Sequence, residues 1–96
     1  MNKKTAILDL TGCKYLGELH QRIKSALDFP EYYGGNWDGL WDCLNRDCDV
    51  NIVTIKGSTK VAEELKSSVI TMIEIFDENK QYWANTDYPF DYEIIS

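Results

Sequence analysis

The residues most able to do chemistry lie close together between Pro30 and Cys43, in the stretch PEYYGGNWDGLWDC. This stretch holds two tyrosines, two tryptophans and two aspartates, and it has no lysine, arginine or histidine. Asp38 and Asp42 are four residues apart, so on a helix they would be neighbours and would repel each other by about 0.2–0.5 kcal/mol. A cationic partner that meets both carboxylates would relieve this repulsion.

The two carboxylates also allow other interpretations, namely solvated surface charges, a general acid and base pair, or metal ligands. Catalysis is disfavoured because the only histidine, His20, has no nucleophile beside it and because acids on one helix turn enclose no cleft. A zinc site from Cys13, Cys43, Cys48 and His20 is disfavoured because Cys-x4-Cys is a loose spacing. We therefore predict no catalytic residue, no metal and no cofactor.

Aromatic rings beside unpaired acids are typical of a protein interface, in which the rings supply contact area and the acids supply orientation. The periodicity predicts a short helix that begins after Asn36, a residue type favoured as an N-cap. Leu40, Cys43 and Leu44 share one side of this helix, and Asp38 and Asp42 point away from it. Trp37 and Trp41 lie on the boundary between the two sides.

The rest of the chain alternates short β-branched runs with helical patterns. Such an order predicts the α/β class, with three parallel strands and about four helices in a single domain over residues 1–96. The predicted strands are Thr5–Leu10, Val50–Ile55 and Phe90–Ile95. The other predicted helices are one through Leu16, Leu19, Ile23 and Leu27, a short one over Thr59–Leu65, and a longer one capped by Ser67 or Ser68 that carries Val69, Met72, Ile73 and Phe76.

Composition restricts the partner. The 96 residues include 16 acidic and 10 basic side chains, which gives a net charge of -6 and disfavours nucleic acid and anionic lipid as partners. No apolar stretch approaches the roughly 20 residues that span a bilayer. An odd number of cysteines fits free thiols in a reducing compartment. We expect a cytoplasmic protein, monomeric when free, with a basic protein as its partner.

At these residues the sequence resembles the barstar family of intracellular inhibitors of barnase-type ribonucleases. The resemblance is carried by Leu19-His20-Gln21, Leu27, Pro30 to Gly34, Asn36, Asp38, and the run Leu40-Trp41-Asp42-Cys43-Leu44. It implies the barstar fold over essentially the whole chain, although the match beyond Leu44 is one of pattern.

The resemblance implies that the second helix and the loop before it enter the active site of a basic, extracellular-type ribonuclease, bind one to one, and take the place of RNA phosphate. Asp42 would meet the cations of that site, Tyr32 would stack on the catalytic histidine, and Asp38 would make a further contact. Asn36, Trp37 and Trp41 match positions at or near the interface. Glu78 aligns with an acidic contact on the last helix.

The rim of this surface departs from the barstar pattern. Gly35 stands where the family has glutamate, Asp47 where it has an interface tryptophan, and Tyr82 where a further acid is expected. These departures leave a second hypothesis open, in which a barstar-like adaptor or regulatory module docks on a basic protein that is not a nuclease. An enzyme that uses Asp38, Asp42 and Glu78, or a sugar binder that stacks on Trp37 and Trp41, is the third alternative.

Overall fold

A computed structural model describes residues 4–46 and 49–95. Within these ranges the chain forms three strands and three α-helices, in the predicted order of β and α elements. The predicted α/β class with a parallel sheet is therefore confirmed. The elements are β1 (Thr5–Asp9), α1 (Leu16–Leu27), α2 (Trp37–Arg46), β2 (Ile52–Lys56), a 3-10 turn (Glu63–Leu65), α3 (Lys66–Tyr82) and β3 (Asp91–Ile95).

The three strands form one parallel sheet in the order β1-β2-β3. Ala6 is paired with Val53, which is paired in turn with Tyr92, and this register runs the length of the sheet. Residues of β1 alternate between buried and exposed, because successive side chains of a strand point to opposite faces. One face of the sheet packs against the helices, and the other exposes side chains such as Ile7.

The core lies between the inner face of the sheet and the apolar sides of the helices. Helix α1 packs on β1, α3 packs on β3, and α2 packs against α3. Each helix contributes a stripe of side chains at spacings of three and four, as the sequence predicts. The fully or nearly fully buried residues of these stripes are Leu19, Ile23 and Leu27 of α1, Leu40, Cys43 and Leu44 of α2, and Val69, Met72 and Phe76 of α3.

The prediction of a fourth helix over Thr59–Leu65 is wrong. Only Glu63–Leu65 is helical, as a single 3-10 turn that runs directly into α3. The backbone before it is held by the loop after β1: Lys60 O accepts from Gly12 N–H at 2.8 Å, and Ala62 N–H donates to Cys13 O at 2.9 Å. These bonds use groups that a helix would need internally.

The predicted start of the last helix is also wrong, because α3 begins at Lys66 and has no side-chain cap from Ser67 or Ser68. The 3-10 turn supplies the first turn of helical backbone instead, with Leu65 at the N-cap position. The strands themselves differ from prediction by one or two residues at their ends. None of these differences alters the position of α2.

Candidate protein interface

Helix α2 begins where the sequence predicts, because Asn36 caps it. The Oδ1 atom of Asn36 accepts a hydrogen bond of 2.6 Å from Gly39 N–H, and Leu40 N–H donates to Asn36 O at 3.0 Å. A cap of this kind satisfies one of the backbone donors that the first helical turn leaves without an intrahelical partner. Asn36 therefore fixes the start of the helix that carries Asp38 and Asp42.

The two aspartates of α2 project into solvent. Leu40, Cys43 and Leu44 are buried on the opposite side of the helix, whereas Asp38 and Asp42 are both exposed. Among residues 4–46 and 49–95, four ion pairs form, and none of them includes Asp38 or Asp42. No lysine or arginine of this described part of the chain therefore neutralises the pair directly.

A groove between α2 and α3 brings a third carboxylate to the same surface. This depression of about 410 Å³ has walls of indole and aliphatic side chains, and its acids come from both helices. Glu78 is exposed on α3, so the groove combines the residues that the sequence predicted from two separate segments. Its lining consists of Trp37, Asp38, Trp41, Asp42, Ile75 and Glu78.

Each tryptophan of this groove contacts another aromatic ring of the protein. The Trp37 ring lies 4.5 Å from the His20 ring of α1, centroid to centroid, and is half-buried. Trp41 meets the Tyr82 ring nearly edge-on at 5.9 Å. Tilted and edge-on contacts of this kind are the favoured arrangements for aromatic pairs. The indoles are thus positioned before any partner arrives.

The end of α2 is tied to the end of α3 through side-chain amides. Asn45 Nδ2 donates to Trp41 O at 3.0 Å, and Asn45 Oδ1 accepts from Trp83 Nε1 at 3.1 Å. The same indole N–H also donates to Asn79 Oδ1 at 3.1 Å. This network holds the two walls of the groove in register.

The loop before α2 places one tyrosine outward and the next inward. Tyr32 is 70% exposed, whereas Tyr33 is buried and shares a hydrogen bond of 2.7 Å between its Oη and His20 Nδ1. Burial lowers the pKa of His20, and burial likewise raises the pKa of Tyr33. Tyr33 therefore belongs to the core, whereas Tyr32 is exposed at the surface.

His20 is a residue whose role the sequence analysis missed. It is buried beneath this loop, with Tyr33 bonded to it and Trp37 against its ring. Its spacing of four from Leu16 and three from Ile23 would have placed it on the apolar stripe of α1. Gly35 crosses directly over it with a φ of +70°, and a Cβ there would lie 3.7 Å from the His20 Cβ. Glycine is the residue that adopts this backbone conformation without strain.

A second depression, of about 380 Å³, lies on the other side of Asp42. It joins the loop to the end of α2 and contains an arginine, Arg46, that the sequence analysis did not consider. Its lining consists of Tyr32, Tyr33, Gly34, Gly39, Asp42, Cys43 and Arg46. Asp42 therefore borders both depressions and lies at the centre of the surface, which we call the α2 face: Tyr32, Trp37, Asp38, Trp41, Asp42, Arg46 and Glu78.

The described residues hold no group of three or more His, Cys, Asp or Glu side chains arranged to hold a metal ion. None of the helices in residues 4–46 and 49–95 is long and apolar enough to cross a bilayer. The predicted rim residue Asp47 lies outside the described residues. The α2 face offers three carboxylates, two indoles, an exposed phenol and one guanidinium. The excess of acids suits contact with a cationic protein surface.

A small α/β protein with this acidic, aromatic face has the features of proteins that bind other proteins. Residues 3–95 match the sequence profile of the family described as Barstar (barnase inhibitor), and the chain belongs to that family. Proteins of this family are inhibitors and not enzymes.

A relative in Bacillus subtilis (strain 168) carries the name "Putative ribonuclease inhibitor YrdF". It is 41% identical over 49 residues, which are 51% of this chain and 54% of that protein. The match thus spans about half the length of the curated relative.

Proposed function

We propose that this protein is a cytoplasmic inhibitor, monomeric when free, that binds a basic ribonuclease of the extracellular, microbial type one to one. It blocks the nuclease active site with the α2 face, and Asp42 takes the place of an RNA phosphate among the cations of that site. Tyr32, Trp37, Asp38, Trp41 and Glu78 surround this central contact. Asn36 contributes by capping α2, which fixes the start of the helix that carries both aspartates.

The observation that carries the proposal is the state of Asp38 and Asp42. Both are exposed, they are one helical turn apart, and no described cation of this chain pairs with either. Residues that destabilise the free protein and make no compensating contact within it are candidates for function. Cations of the nuclease would supply the missing pairing through charge-assisted hydrogen bonds.

The overall charge favours the same partner. A net charge of -6 attracts a basic protein and raises its association rate at low ionic strength. The attraction weakens as salt rises, because the Debye length shortens to about 8 Å at physiological ionic strength. We therefore expect the association rate, more than the dissociation rate, to fall with added salt.

The test is a titration of barnase and a panel of other small basic ribonucleases with the wild-type protein, with residual RNA cleavage as the readout. Wild type should bring at least one of these nucleases to complete inhibition at a one-to-one ratio. Asp42→Ala should weaken inhibition by roughly 100-fold or more, because removing one partner of a buried ion pair costs about 3–5 kcal/mol.

Glu64→Gln is the matched control. It removes the same single charge, but Glu64 is exposed in the 3-10 turn before α3, about four helical turns from Glu78. Asp42→Ala should not lower the free energy of unfolding, because it removes the repulsion from Asp38, about 0.2–0.5 kcal/mol. Inhibition by Asp42→Ala equal to wild type would show that the α2 face does not carry the activity.

The second candidate function is an adaptor that docks the α2 face on a basic protein other than a ribonuclease. Tyr82 favours it, since this ring is 62% exposed beside Trp41 at a rim position where the family resemblance calls for an acid. Failure to inhibit any nuclease of the panel, together with capture of a basic non-nuclease protein by wild type but not by Asp42→Ala, would support the adaptor.

A further inference from the structure

Among the residues that the structure describes, Arg46 is the one cation that lines either depression of the α2 face. It shares the second depression with Asp42 and Tyr32, and its side chain is exposed. It follows Asp42 by four residues, which is the spacing and the order in which an acid and a base on a helix pair most readily. No ion pair joins them in the described part of the chain.

The position of Arg46 in the last turn of α2 explains part of its presence, because a cation near a helix C-terminus interacts favourably with the helix dipole. That effect needs only a positive charge and leaves the five N–H donors of the guanidinium unused. The planar guanidinium matches the geometry of a carboxylate, to which it can donate two parallel hydrogen bonds. Arg46 is therefore an available binding group for an acid.

The positive charge of Arg46 would repel a basic partner unless the partner places an acidic side chain opposite it. A nuclease that presents only cations to the α2 face would be attracted to Asp38, Asp42 and Glu78 and repelled by Arg46. Like charges brought together in an interface cost affinity, and such repulsion is how proteins reject wrong partners. A nuclease with an acidic side chain opposite Arg46 would gain a contact at the same place.

We infer that Arg46 is a specificity-determining residue that pairs with an acidic side chain of the cognate ribonuclease, at the edge of the cationic site that receives Asp42. This inference rests on the proposed function. It assigns the partner a charge pattern, namely cations opposite Asp38, Asp42 and Glu78 and a carboxylate opposite Arg46.

The experiment uses the nuclease that wild type inhibits most tightly among barnase and the panel above, with association and dissociation rates measured for each variant. Arg46→Gln should bind about tenfold more weakly, mainly through faster dissociation, because a contact of the bound state is lost. Arg46→Lys should recover part of the loss, since lysine keeps the charge but not the two parallel bonds. Lys60→Gln, which removes an exposed cation of the loop after β2, is the control and should stay within about twofold of wild type.

The partner residue is then found by neutralising the surface Asp and Glu residues of that nuclease one at a time. One such variant should abolish the difference between wild type and Arg46→Gln, as expected for two residues in direct contact. Arg46→Gln binding as tightly as wild type, or no nuclease variant that removes the difference, would overturn the inference and leave the proposed function standing. Inhibition of no nuclease by wild type would refute the proposed function and this inference with it.

Discussion

Tyr33→Phe tests whether the buried pair beneath the α2 face stabilises the fold. The substitution keeps the ring, which packs 5.2 Å from the Phe29 ring, and removes only the hydroxyl that bonds His20 Nδ1 at 2.7 Å. His20 is 5% exposed, so water cannot readily replace the lost partner. A buried polar atom left without a partner costs about 1–3 kcal/mol.

We expect Tyr33→Phe to lower the free energy of unfolding by about 2 kcal/mol. For a domain of this size each kcal/mol corresponds to a Tm shift of roughly 4–8 °C, so the Tm should fall by roughly 8–16 °C. Urea and thermal unfolding at pH 7.5 would measure both quantities. Tyr15→Phe is the matched control, because Tyr15 is 66% exposed and loss of its hydroxyl should change the stability by less than about 0.5 kcal/mol. Equal stabilities of Tyr33→Phe and wild type would refute the reasoning.

Two further predictions concern the pH dependence of stability and the backbone conformation at Gly57. Burial lowers the pKa of His20 below its ordinary 6.5, so the unfolded state takes up the proton first as the pH falls. The contribution of His20 to the free energy of unfolding should be full above about pH 6.5 and should fall below that pH by at most about 1.4 kcal/mol per pH unit. Urea unfolding at several pH values measures this slope, which should be smaller in His20→Gln. Gly57→Ala should lower the Tm by several degrees, because Gly57 has a φ of +66° and an added Cβ would lie 2.7 Å from Thr11 N. A Tm equal to wild type would contradict this.

Helix α2 could be predicted from sequence because every local signal agreed. Asn36 is a favoured cap, Leu40 and Leu44 are spaced for one buried side, and both aspartates fall on the other. The segment before α3 could not be predicted in this way. Its backbone bonds to the loop after β1, and a bond such as Ala62 N–H to Cys13 O joins residues that no local pattern connects.

Some residues of the candidate site are likewise predictable from local sequence, and others depend on long-range packing. Asp38, Asp42, Trp37 and Trp41 follow from the periodicity of one helix, whereas Glu78 entered only through the family resemblance. Its place in the groove depends on how α3 packs against α2. His20 and Arg46 carried local signals, an apolar stripe and a spacing of four from Asp42, but the sequence analysis treated His20 only as a candidate for chemistry.

The carboxylates of the α2 face interact with other charges weakly in water and more strongly in a desolvated interface. Two unit charges about 6 Å apart, which is roughly the Cβ separation of residues four apart on a helix, repel by roughly 0.7 kcal/mol in water. Salt reduces this further, so the free protein tolerates Asp38 beside Asp42 at small cost. At an effective dielectric constant of about 20, a cation 4 Å from one of them gains about 4 kcal/mol, of which desolvation cancels part. The rings of Trp37 and Trp41 border these acids and would exclude water when a partner closes over them. The carboxylates therefore destabilise the free, solvated protein only slightly and attract cations strongly once water is excluded. This difference favours the complex over the free protein.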